Sequence, residues 1–163
     1  MSNQIIIGPG DYQTDEREVG ADVNPGELVE FAADGRLQPH SSAPDLNGNG
    51  SATPRFAVEA REVGKTIDDT YSYDGSADEG ENGHFGYPAR GTPVQAYIAT
   101  GHSIDPGTPL ESAGDGTLQP HSGLDPAGDG TDTIADDLVV AYANEAIDTT
   151  GDADPSRHEV ISA

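Results

Sequence analysis

The chain has no cysteine and no tryptophan, and lysine occurs once, at Lys65. Without cysteine, neither a disulfide framework nor a thiolate metal site is available. Apolar residues make up 33% of the 163 positions, with only six tyrosines and three phenylalanines among them. The core must therefore be thin and rest mainly on Val, Ile, Leu and Ala. Positive charge is scarce as well: seven basic residues stand against 30 acidic ones, a formal charge of −23. Nucleic acid is excluded as a partner, because phosphate contacts need a basic surface. An anionic membrane surface is excluded for the same reason. No run approaches the roughly 20 apolar residues of a membrane-spanning helix. The N-terminal "MSNQIIIGPGDYQ" lacks a basic region and a long apolar stretch, so no signal peptide is expected and synthesis is placed in a cytoplasm.

The acidic residues are spread along the whole chain and do not form a tail. In dilute buffer such a chain repels itself. At molar salt the Debye length falls to about 3 Å and the repulsion is largely screened. The composition thus reads as that of a protein adapted to a hypersaline solvent.

Glycine and proline are plentiful, at 21 and 12 residues. A turn-rich all-β fold suits this better than a helical one. Order along the chain comes from an internal repeat. "DGRLQPHS" at 34–41 returns as "DGTLQPHS" at 115–122. Aligned at an offset of 81, residues 25–41 and 106–122 share eleven identities in seventeen positions. A weaker echo follows, with "DLNGNG" at 45–50 facing "DPAGDG" at 125–130, and "FAVEAREV" at 56–63 facing "VVAYANEA" at 139–146. Each half reads as hairpin, Asp/Gly loop, strand. Solenoids need about three or more repeats, so two copies point to pseudo-symmetric hairpins in one compact β-barrel or sandwich. The domain reading is an extended arm over 1–24 and a single β-domain over 25–163, with repeat units 25–63 and 106–146.

Within this frame, Asp34-Gly35 and Asp115-Gly116 are structural turns, both positions of each tolerating φ > 0. "GTPVQAYIATG", 91–101, reads as a strand with Val94, Ala96 and Ile98 on one face. "HEVISA" reads as a closing strand. Residues 65–90 show almost no hydrophobic period and read as a long acidic loop holding Tyr71, Tyr73, Phe85 and Tyr87. The Ile5-Ile6-Ile7 run is either the first strand of the chain's own barrel or an exposed attachment device. In the second case Ile5, Ile6, Ile7 and Tyr12 are the candidate contact residues.

Motifs for chemistry are few. No nucleophile elbow, phosphate loop, zinc-helix signature or dinucleotide fingerprint occurs. His40 and His121 occupy equivalent repeat positions; a metal or acid/base pair competes with a turn that was simply copied. Asp45, Asn47, Asn49 and Gly50 begin like a calcium loop, but the twelfth position is Phe56 where a bidentate Glu is needed. In the second copy Asp125 leads to Ala127 at a ligand position. No cofactor is therefore expected, with Ca²⁺ or Mg²⁺ at the acidic loops the one weak alternative. Pairs such as Asp68-Asp69 and Asp136-Asp137 follow from the abundance of acids and do not by themselves indicate glycosidase carboxylates.

The second half, "VQAYIATGHSIDPGTPLESAGDGTLQPHS…DDLVVAYANEAID…HEVISA", resembles the small capsid decoration, or cement, proteins of tailed viruses of bacteria and archaea. The resemblance lies in Gly107, Leu110 to Leu118, and then Arg157, Glu159 and Val160, and extends over about 23–163. It implies a non-enzymatic all-β virion protein on the capsid exterior, whose partners are the major capsid protein and, as a homotrimer, itself. With the charge, it implies a virus of a halophilic archaeon. A carbohydrate- or surface-binding β-module of a halophile is the alternative, with Tyr71, Tyr73, Phe85 and Tyr87 lining its site.

Overall fold

The computed structural model describes residues 4–6, 13–44, 51–60, 64–75, 80–123 and 138–163. These form twelve strands and no helix. In chain order they are β1 (Gln13–Glu18), β2 (Val29–Phe31), β3 (Leu37–Pro39), β4 (Phe56–Ala57), β5 (Asn82–Tyr87) and β6 (Pro93–Ile98). Then follow β7 (Ser103–Ile104), β8 (Pro109–Ser112), β9 (Leu118–Pro120), β10 (Ala141–Ala143), β11 (Ile147–Asp148) and β12 (Ser156–Ser162). The fold is all-β, as the composition implies.

Strands β10, β12, β6, β9 and β8 close a barrel in that order, while β1, β5 and β4 form a second sheet and β2–β3 and β11–β7 form two-stranded pairs. All barrel pairings are antiparallel except β6 with β9. Strand β6 alternates in burial as its sequence alternates, with Val94, Ala96 and Ile98 wholly inside. They meet Leu110, Leu118, Ala141 and Val160 in the main core. A second core, of Val19, Val23, Val29, Leu37, Ala57, Tyr71 and Phe85, fills the space between the β1–β5–β4 sheet and the first hairpin.

Ile5 and Ile6 are not exposed for attachment. Ile5 and Ile6 are 0% and 2% exposed and belong to the main core. The reason lies in β6. On one side it pairs along its length with β12, but on the other β9 reaches it only at Ile98. The remaining donors of that edge are met piecemeal: Gln95 N–H donates to the Ile5 carbonyl at 2.7 Å and Tyr97 N–H to the Gly26 carbonyl at 3.1 Å. Ile6 bridges Val94, and Ile5 N–H donates to the Glu59 carboxylate at 3.1 Å. The chain start thus covers an open barrel edge with its own apolar side chains. Residues 13–24 are likewise held, by the β1–β5 ladder and by buried Val19 and Val23. The candidate contact residues Ile7 and Tyr12 lie outside the described residues.

Segment 65–90 also departs from its reading as a loop. Its second half is β5, paired with β1 over six residues and with β4 over two. Two glycines, Gly83 and Gly86, dilute its hydrophobic period. Gly83 is needed for space, since a Cβ there would lie 2.8 Å from Val19 Cγ1 and 3.0 Å from Leu37 Cδ2.

The repeat is the same hairpin built twice. In the first copy Glu30 faces Gln38 and Phe31 faces Leu37; in the second Glu111 faces Gln119 and Ser112 faces Leu118. Strand β4 flanks the first hairpin through the Leu28–Phe56 bridge, as β10 flanks the second. In both turns the Asp side chain accepts the N–H two residues on, from Arg36 at 3.1 Å and from Thr117 at 3.0 Å. The aspartates therefore work as side-chain acceptors in the turn. Of the two positions that tolerate positive φ in each turn, only the glycine takes it, +85° at Gly35 and +86° at Gly116.

Candidate interaction surface

The repeated residues Glu, Gln, His and Ser converge within each hairpin. In the first, the Glu30 carboxylate accepts from Gln38 Nε2 at 2.9 Å and Ser41 Oγ at 2.6 Å, with His40 Nε2 at 3.6 Å. In the second, Glu111 accepts from Gln119 Nε2 at 3.1 Å and Ser122 Oγ at 3.3 Å, with His121 Nε2 at 3.7 Å. A glutamate on the outgoing strand is thus held by a Gln on the returning strand and a Ser just beyond it, with the His ring alongside. This accounts for "QPHS" being copied whole. Each His faces its own Glu, so the structure does not bring His40 and His121 together as a catalytic or metal pair. The two hairpins are joined through His40, whose Nδ1 is 2.8 Å from Ser112 Oγ.

The two cradles differ in depth. The Glu111 side chain is 1% exposed and that of Glu30 26%. Burial raises the Glu30 carboxyl, but the hydrogen bonds from Ser41 and Gln38 and the nearby His40 outweigh it, and the group lies below its ordinary value of 4.5. A carboxyl held low stabilises the fold above its unfolded value, and this contribution is lost as pH falls through the folded value. Glu30→Ala should accordingly lose most of its effect in acid. Glu111→Ala should cost about 1–3 kcal/mol at neutral pH, because it empties a buried site and takes the acceptor from the half-buried Gln119 amide. Thermal melts of the two variants at pH 7 and pH 3.5 check both statements; equal losses at pH 7 would contradict the difference in depth.

The surface that stands apart is aromatic and cationic. Phe31, at the end of β2, is 38% exposed and is the one exposed large apolar side chain among the described residues. Its ring lies edge-on to Phe85 at 5.5 Å, and Phe85 lies edge-on to Tyr87 at 5.6 Å. The Arg55 guanidinium sits 4.1 Å from the Phe31 ring centroid and 5.0 Å from that of Tyr87. Arg17, exposed on β1, lies 5.4 Å from the Phe31 centroid. Four elements build this patch: β1, β2, the segment entering β4, and β5.

Arg36 pairs with Glu18 at 3.1 Å, Lys65 reaches Glu81 at 3.9 Å, and Arg157 pairs with Asp68. No carboxylate among the described residues lies within 4 Å of Arg17 or Arg55, in a chain with 30 acids. Arg55 Nε is buried with no hydrogen-bond acceptor. One sequence signal marks the patch: Phe31 occupies the repeat position that the other copy fills with buried Ser112.

The aromatic residues proposed as a carbohydrate platform do not form one. Phe85 is 0% and Tyr71 5% exposed, both in the second core, and the Tyr71 hydroxyl donates to the Val58 carbonyl at 2.7 Å. A groove of about 670 Å³ lies elsewhere, between Lys65, Asp68, Gln95, Tyr97 and Arg157. Within it Arg157 pairs with Asp68 and lies 5.2 Å from the Tyr97 ring centroid. The calcium-like loops at 45–50 and 125–130, and Asp136-Asp137, lie outside the described residues. Among the described residues no cluster of three or more His, Asp or Glu is disposed to hold a metal.

No protein-family model matches the chain, and no curated protein matches it in sequence. Among solved structures it is similar to the head fiber gp8.5 N base in bacteriophage phi29. The two share 14% identity over 93% of this chain and 94% of that one, with a TM-score of 0.49. At that similarity nothing about the role of the phage protein is carried over.

Proposed function

We propose that this chain is a capsid decoration protein: it binds the outer surface of a major capsid shell, reinforces it, and performs no chemistry of its own. The observation that carries this reading is the Phe31 patch, an exposed aromatic beside two guanidinia that have no carboxylate partner among the described residues, in a chain of charge −23. Contacts of this composition, aromatic and arginine together, are those that anchor protein–protein interfaces. The sequence resemblance points the same way. The phrase that carries it, Leu110 to Leu118, is the β8–β9 barrel hairpin, so the likeness concerns the hairpin framework, whose other copy bears Phe31. The histidines and glutamates that could suggest catalysis are used inside that framework.

In this reading the protein assembles as a homotrimer on the virion exterior of a virus of a halophilic archaeon, after synthesis in the host cytoplasm. Mass spectrometry of gradient-purified virions tests it. The chain should be present in structural amounts and be lost when the exterior is treated with protease. Its absence from intact particles would overturn the proposal.

The halophilic part has its own test. With a charge of −23 on a thin core, unscreened repulsion is comparable with the roughly 5–15 kcal/mol by which domains are stable. The melting temperature should rise by about 10 °C or more between roughly 0.1 M and 3 M NaCl, since 1 kcal/mol moves it by about 2–4 °C at this size. Equal melting temperatures would remove the argument from charge.

A further inference from the structure

We infer that the Phe31 patch is the attachment face, and that its partner is a different protein whose surface sets a carboxylate beside an apolar side chain. This rests on the decoration reading and names the chemistry of its contact. A guanidinium donates through five N–H groups in a fixed plane, and its natural acceptor is a carboxylate. Arg17 and Arg55 lie within reach of the same ring and have no such acceptor among the described residues. Arg55 Nε is already stripped of water. Its guanidinium carbon lies over the Phe31 and Tyr87 rings, at 4.1 and 5.0 Å from their centroids. A carboxylate from outside would complete both cations, and an apolar side chain beside it would cover Phe31.

The other candidate occupants fit less well. Phosphate backbones are disfavoured by the charge of −23. A two-fold contact between two copies would press the patch on itself, arginine against arginine. A head-to-tail contact would offer carboxylates, but the described surface has no second exposed large apolar side chain to meet Phe31. A second copy therefore satisfies either the charge or the ring, and a different protein is needed for both.

Sedimentation of the full chain with capsid shells stripped of it tests the inference, using wild type, Phe31→Ala, Arg17→Gln, Arg55→Lys and the exposed control Asp154→Asn. Wild type and the control should pellet with the shells. Phe31→Ala should bind about tenfold more weakly or worse, as interface anchors do. Arg55→Lys should also weaken binding, because an ammonium keeps the charge but loses the planar stack. Melting temperatures close to wild type for Phe31→Ala and Arg17→Gln separate lost contact from lost fold. If wild type pellets and all variants pellet equally, the patch is not the attachment face, while decoration stands. If wild type does not pellet, the decoration reading fails and the inference with it. If light scattering shows that the variants lose self-association yet still pellet, the occupant is a second copy and the inference is overturned.

Discussion

A chain lacking residues 1–10 should be largely unfolded under conditions where the full chain is stable. Ile5 and Ile6 are buried in the main core. Truncating a buried Ile to Ala costs about 2–5 kcal/mol, through lost burial and the cavity left behind. Two such losses, about 4–10 kcal/mol together, rival the whole stability of a domain of this size. Truncation adds a backbone cost, since Gln95 N–H loses the Ile5 carbonyl that closes the free edge of β6. Ile5→Ala and Ile6→Ala, made singly, keep the backbone in place and isolate the side-chain term. Denaturant unfolding of the three variants checks this. A truncated chain as stable as the full one would return the isoleucine run to the role of a dispensable arm.

Gly116→Val should destabilise the fold by about 3 kcal/mol or more, and far more than a change at the equivalent Gly35. A side chain at positive φ costs about 1–3 kcal/mol by itself. The two glycines share this cost, with φ values of +85° and +86°. Their surroundings differ. A Cβ on Gly35 meets nothing within 4 Å, whereas one on Gly116 lies 2.9 Å from Pro39 Cβ and 3.4 Å from Glu27 Cβ. The crowding reflects how the hairpins dock. Leu28 N–H donates to the Gly116 carbonyl at 2.8 Å, and Gly116 N–H donates to the His40 carbonyl at 3.1 Å. The first turn instead closes on itself, Gly35 N–H donating to Ala32 at 2.9 Å. Gly35→Ala should therefore cost about 1 kcal/mol. Equal losses at the two sites, read from urea midpoints, would show that docking adds nothing to the turn.

What the sequence made legible was whatever its side chains announce locally. Strand β6 alternates Val94, Ala96, Ile98 and was readable for that reason. The duplicated hairpins were readable because identical residues recur at one spacing. Strand β1 was not, because Gln13–Glu18 is polar throughout and exists by backbone pairing with β5. Its acidic side chains suit an edge that must not pair further. Strand β5 was hidden by Gly83 and Gly86, the first of them required by close packing that only the folded chain shows. The isoleucine run left two readings open; which one holds depended on the free edge of β6, a fact of topology. The Phe31 patch gathers residues from four separate elements, and only the mismatch between Phe31 and Ser112 in the repeat hinted at it.

The account turns on whether this chain coats a capsid. Electron cryomicroscopy of virions before and after selective release of the 16.8 kDa chain measures that directly. The account predicts β-rich density on the outer surface before release, its Phe31 face toward the shell, and bare shell afterwards. Identical outer surfaces in the two reconstructions would contradict it.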